Sequence, residues 1–84
     1  RKQIDEIDMS ILEILAKRMR ISREIGQYKK EHDMAILQSK RYDEIISKRV
    51  ADGKTMSMGE DFLNTIFEAI HAESVRQQME IMNK

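Results

Sequence analysis

The stretch LAKRMRISREIGQYKK, Leu15 to Lys30, decides the fold and poses the question of function at once. Its apolar residues recur at spacings of three and four, the period of an amphipathic α-helix. Followed from the preceding turns, that stripe reads Ile11, Ile14, Arg18, Ser22, Ile25 and Lys29, so two cations occupy turns meant for the interior. An unpaired buried cation is strongly unfavourable, and buried arginine and lysine therefore imply an anionic partner.

Outward from this stretch the helical period continues. From about Arg1 to His32 it carries Ile4, Ile7, Ile11, Ile14, Leu15, Ile21 and Ile25, with Asp5, Glu6 and Asp8 near the start and Lys29 and Lys30 near the end. That polarity suits a helix dipole. Gly26 inside the helix costs about 1 kcal/mol relative to alanine, which is tolerated where another helix packs close. After a break at EHDMA, Ser39 is the expected N-cap of a second helix reaching Asp52, with Ile45, Ile46 and Val50 inward and Gly53 ending it. Ser57 with Glu60 three residues on is a capping-box pattern, so a third helix is expected from about Met58 to Met82. Its stripe is Leu63, Ile66, Phe67, Ile70, Ser74, Gln77 or Gln78, and Ile81. The expectation is an all-α chain of three helices, one domain over residues 1–84.

A first helix of some 30 residues is about 45 Å long. A compact chain of 84 residues has a radius of gyration of about 12 Å. The long apolar stripe therefore outruns anything the two shorter helices can cover, and an intertwined homodimer with the long helices packed together is expected.

Composition narrows the partners. Fifteen basic and fifteen acidic residues cancel, and two tyrosines and two phenylalanines are the only aromatics, which argues against a nucleic-acid surface of basic charge and stacking rings. Absence of cysteine excludes disulfides and Cys-based zinc sites and fits a reduced, cytoplasmic setting. No apolar run approaches the roughly 20 residues that span a bilayer, so no membrane partner is expected. His32 and His71 have no partner at metal-ligand spacing, and no metal site is expected. The chain begins at Arg1 and not at a methionine, which fits a trimmed chain or a piece of a longer one.

The polar interruptions mark the site. Arg18 and Lys29 are eleven residues apart, about 20° from eclipsed on a helix. Ser74 and Gln78, at i and i+4, share a face of the third helix. If these helices pack, the four residues line one polar pocket. The alternative is that Arg18 and Lys29 snorkel to the surface or pair with acids such as Glu13 or Glu73. Arg41 falls in the first turn of the second helix, where free amides also favour an anion. Arg1 lies about 25 Å along the axis from Arg18 and can reach such a site only in another subunit. No nucleophile and base pair, phosphate loop or acid dyad is visible.

Arg1, IDEID at Ile4 to Asp8, LAKR ending in Arg18, IGQYKK containing Lys29, the Arg41 helix start, and IFEAIHAES followed by Gln78 together resemble the all-helical chorismate mutases of the AroQ type. The resemblance runs over nearly the whole chain. It implies an intertwined dimer of three-helix chains and the Claisen rearrangement of chorismate to prephenate, on the route to phenylalanine and tyrosine, without a cofactor. It further implies that Arg18 and Arg41 of one chain and Arg1 of the other grip the two substrate carboxylates with help from Ser74. Lys29 and Gln78 would donate to the ether oxygen.

Two positions depart from the family pattern. Gln38 stands where many members have an acid, and Tyr42 where a glutamate usually follows the helix-start arginine, in the region that contacts the ring hydroxyl. Related isochorismate pyruvate lyases share the fold and lack that glutamate, so they are the nearest enzymatic rival. Ser74 and the ending ESVRQQ favour the mutase. A third possibility is a non-catalytic dimerisation or regulatory module fused to an aromatic-pathway enzyme. The cations on the stripe speak against it, because a pure dimerisation helix gains from leucine at positions 18 and 29.

Overall fold

The computed structural model describes residues 1–84, with the side chain of Ser39 outside the description. Three helices make up the regular structure: α1 Lys2–Glu31, α2 Ser39–Lys54 and α3 Glu60–Met82. No strand is present among the described residues. The longest dimension of the chain, 44 Å, matches the about 45 Å expected of a helix as long as α1.

The short turn between α2 and α3 makes them antiparallel, with Tyr42 beside His71 and Gly53 against Leu63. α3 in turn packs parallel to α1, in rising register: Ser22 meets Ser74, Gly26 meets Gln78, and Lys30 donates to the carbonyls of Ile81 and Lys84. Lys30 thereby caps the negative end of α3 with an ammonium. Among the described residues α1 and α2 make no direct packing contact; α3 lies between them as a shared floor.

Glycine sets two of the close approaches. A Cβ on Gly26 would sit 3.0 Å from the Gln78 Cα, so a larger residue would push α1 off α3. A Cβ on Gly53 would collide with the methyl groups of Leu63. Gly53 therefore lies within the last turn of α2, where the expectation had it ending the helix; its role is to let Leu63 in. The helix continues to Lys54.

Both expected serine caps are corrected. Gln38, extended at φ −125° and ψ 92°, is the N-cap of α2, and Ser39 is already its first helical residue. Ser57 has φ 65°, a left-handed turn residue that follows α2. An N-cap needs extended backbone, so Ser57 cannot serve, and Gly59 at φ −74° and ψ 146° does. The third helix accordingly starts at Glu60, two residues later than expected.

The chain is a flat plate, 44 × 29 × 14 Å, barely thicker than one helix with its side chains. Its radius of gyration of 14.8 Å exceeds the about 12 Å of a compact chain of this length. Only Leu63, at 2 % exposure, and Val50, at 7 %, are buried apolar side chains among the described residues. Ile4, Ile7, Ile11 and Ile14 stand 48–66 % exposed along the first half of α1.

Candidate functional site

A cleft of about 540 Å³ opens between α1 and α2 above α3, within the about 300–1,000 Å³ of small-molecule sites. Arg18, Ile25 and Lys29 of α1 form one wall, and Arg41, Tyr42, Ile45, Ile46 and Arg49 of α2 the other. Phe67, His71, Val75 and Gln78 of α3 make the floor, while Met34, Ile36 and Gln38 of the connecting loop also line it. Apolar side chains make up much of the lining, and where such a lining lowers the local dielectric polar contacts are strengthened.

Arg18 projects from α1 toward α3 and donates through Nη1 to Ser74 Oγ at 2.7 Å. Ser74 Oγ also lies 2.9 Å from Ser22 Oγ in the buried seam of the two helices. The serine pair thus fixes one end of the guanidinium and leaves its other donors available. Ser74 itself lies behind Arg18 and not on the cavity surface, so it reaches the cleft through that arginine. Burial, followed by the nearby Arg49 charge, pulls the Arg18 pKa down from its ordinary value. The acid-pairing half of the alternative does not describe Arg18, since Glu73 is held by Arg76 and Gln77 instead; its side chain stays exposed to solvent at the cleft while bonded to Ser74.

Lys29 is half-buried and donates through Nζ to the Ile36 carbonyl at 3.1 Å. The Lys29 carbonyl accepts from the Met34 amide at 2.8 Å, so the loop is stitched to this residue at both ends. An ammonium has three donors, and two remain for a ligand. Asp33, at φ 53°, makes the sharp turn that brings the loop back, a conformation aspartate tolerates better than most residues.

Arg41 lies in the first turn of α2 and faces the cavity, and Gln38 lines its edge. Gln78 comes from the floor, its side-chain carbonyl oxygen buried without a partner. Arg1 is the N-cap of α1, at the end of the plate's long axis and outside the cleft. Six of the eight residues singled out in the sequence, Arg18, Lys29, Gln38, Arg41, Tyr42 and Gln78, line this one cavity.

Two cleft residues escaped the sequence reading of the site. His71 packs its ring on Tyr42, centroids 3.9 Å apart at 33°, and its Nε2 is buried with no partner. Burial, then the Arg18 and Lys29 charges, lower its pKa, which keeps the ring neutral. Burial, then the Glu68 and Asp43 charges, raise that of Tyr42, so its phenol stays protonated. Arg49, seven residues after Tyr42, shares its helix face and was legible by the same stripe logic that picked out Arg18. No carboxylate lines the cavity, and the ion pairs among the described residues, Lys48–Asp52, Lys54–Glu60 and Arg76 with Glu73 and Glu80, involve none of its cations. Four cations without acid partners, beside neutral donors and an apolar wall, give the cavity a positive charge that would favour a small, multiply charged anion.

The sequence matches the family described as Chorismate mutase type II over residues 1–79. It is 30 % identical over 84 residues, the whole chain, to the bifunctional chorismate mutase/prephenate dehydratase of Buchnera aphidicola strain APS, and 29 % identical over the same length to that of strain Sg. It is 26 % identical over 74 residues, 88 % of the chain, to the T-protein of Enterobacter agglomerans. The chain spans only 22 %, 22 % and 20 % of these relatives' lengths.

Proposed function

The chain belongs to the chorismate mutase type II family, and from that premise we propose that it rearranges chorismate to prephenate in a cleft completed by a second copy of itself. The observation that carries this reading is the charge of the cavity: Arg18, Lys29, Arg41 and Arg49 with no carboxylate among them. Chorismate is a dianion and its rearrangement is unimolecular. Such a step needs no nucleophile or base, only a substrate held folded and donors aimed at the oxygen that gains negative charge as the C–O bond breaks.

In this reading Arg18 and Arg41 take the carboxylates through guanidinium forks, with Ser74 holding Arg18 in place. Lys29 offers its remaining N–H groups, and Gln78 its amide, to the ether oxygen. The charged lysine then does more in the transition state than in the ground state, which is the condition for raising turnover. Gln38 and Tyr42 stand at the edge that would face the ring hydroxyl.

The dimer is part of the proposal. An apolar stripe 48–66 % exposed on α1, on a plate with two buried apolar side chains, supports pairing with a second α1. In such a pair Arg1 of one chain would enter the other's cleft. No helix is long and apolar enough to cross a membrane, and a cytoplasmic location is proposed with the function. Because the bifunctional relatives join this domain to a prephenate dehydratase, a fused aromatic-pathway enzyme is proposed as its partner.

Supplying purified chain with chorismate and, separately, with isochorismate tests the function. Prephenate from chorismate is the expected product. Salicylate with pyruvate from isochorismate, and no prephenate, would assign the lyase reaction, for which Tyr42 in place of an acid is the favouring feature; no turnover of either would leave a binding module.

A further inference from the structure

We infer that Arg49 is a further substrate-binding residue of this cleft, a third guanidinium of the same chain that binds a carboxylate of the dianionic substrate. The inference rests on the function proposed above and extends it to a residue outside the family pattern described earlier.

Arg49 is placed by its helix. It follows Tyr42 by seven residues, about 20° from eclipsed, on the face of α2 that presents Ile45 and Ile46 to α3. An amphipathic helix normally has an aliphatic residue there. Lys40 and Lys48, on the same helix, do not line this cavity; Arg49 does.

Its charge is uncompensated. Asp52, the acid one turn on, pairs with Lys48 at 3.6 Å, and no other ion pair among the described residues reaches Arg49. It stands close enough to Arg18 across the cavity for its charge to depress that residue's pKa, second only to burial. Two guanidinium groups facing one opening without an acid repel each other, and an anion between them removes that repulsion. Arg18 is tied to Ser74 through one Nη, and its remaining donors and the Arg49 guanidinium both line the same cavity. A carboxylate there receives bidentate recognition, which a lysine would not supply.

Steady-state kinetics with chorismate on Arg49→Gln, Arg49→Lys and the control Lys48→Gln test this, with helicity of each checked by circular dichroism. Arg49→Gln is expected to raise KM about tenfold to a hundredfold with kcat within about threefold, the loss of a charge-assisted fork. Arg49→Lys should recover part of that loss. The slope of log kcat/KM against log ionic strength should flatten in Arg49→Gln and not in Lys48→Gln, a readout that a packing role would not move. A KM within twofold of wild type in a folded Arg49→Gln, or an equal rise in Lys48→Gln, overturns the role of Arg49 while leaving the mutase reading intact. A wild-type chain that converts no chorismate overturns both.

Discussion

The two halves of α1 carry the same helical period to different ends. From Lys2 to Ile14 the stripe is isoleucine and stands open to solvent; from Arg18 to Lys30 it is interrupted by polar residues and lies against α3 or in the cleft. The bare half has the chemistry of an interface and lacks a cover. The packed half has a cover and lacks the aliphatic residues that a cover normally buries: its seam with α3 is Ser22, Gly26, Ser74 and Gln78. In the proposed reading one stripe therefore serves two ends, a second apolar surface for the first half and an anion for the second.

The largest effect is expected from charging the bare half. Ile7→Glu with Ile11→Glu places four carboxylates in the proposed interface of a dimer, and loss of four buried isoleucines at about 1.5 kcal/mol or more each should weaken association by more than about a thousandfold. Sedimentation equilibrium would detect it; a variant that remains dimeric at micromolar concentration would move the interface elsewhere. In the packed half, Lys29→Ala should cut turnover at least about a hundredfold while leaving assembly unchanged, by analogy with losing a donor to a developing oxyanion. Near-normal turnover would remove Lys29 from the chemistry.

Gly26→Val probes the seam itself. The Gln78 Cα stands where the added atoms would go, and overpacking of this kind should destabilise the fold by about 1–3 kcal/mol. Chemical denaturation would show the shift, and an unchanged midpoint would mean that the helices separate freely. The smallest effect is expected from pH. His71 has its pKa lowered below 6.5 by burial and by Arg18 and Lys29, so the unfolded chain binds a proton before the folded one does. Stability should accordingly fall as pH drops through about 6.5 toward the folded value, and His71→Gln should remove that component. A stability profile flat between pH 7 and 5 would show that the ring protonates freely in the fold.

Much of this division was legible in the sequence. Helix existence and the ends of α1 followed from an unbroken period in a chain without proline, and Arg18 and Lys29 stood out because they violate it. The caps were not legible, because Ser57 fits a capping box by composition while its backbone is committed to the turn after α2. Gly53 looked like a terminator since glycine serves both ends and close contacts, and only Leu63 distinguishes them. His71 is ordinary on its own helix and becomes part of the site only when α2 folds back along α3, whereas Arg49 departs from the α2 stripe as Arg18 departs from that of α1. The polar seam of α1 and α3 was anticipated as a pocket lining, but Ser74 turned out to anchor Arg18 from behind.

Prephenate formation from chorismate, followed as specific activity across a dilution series that spans dimer dissociation, joins the two halves in one measurement. Prephenate should form, and specific activity should fall in step with the dimer fraction, because in the proposed dimer the bare half of α1 would hold the second chain, whose Arg1 would enter the cleft. Full specific activity in a species that sediments as a monomer, or no prephenate at any concentration, would contradict it.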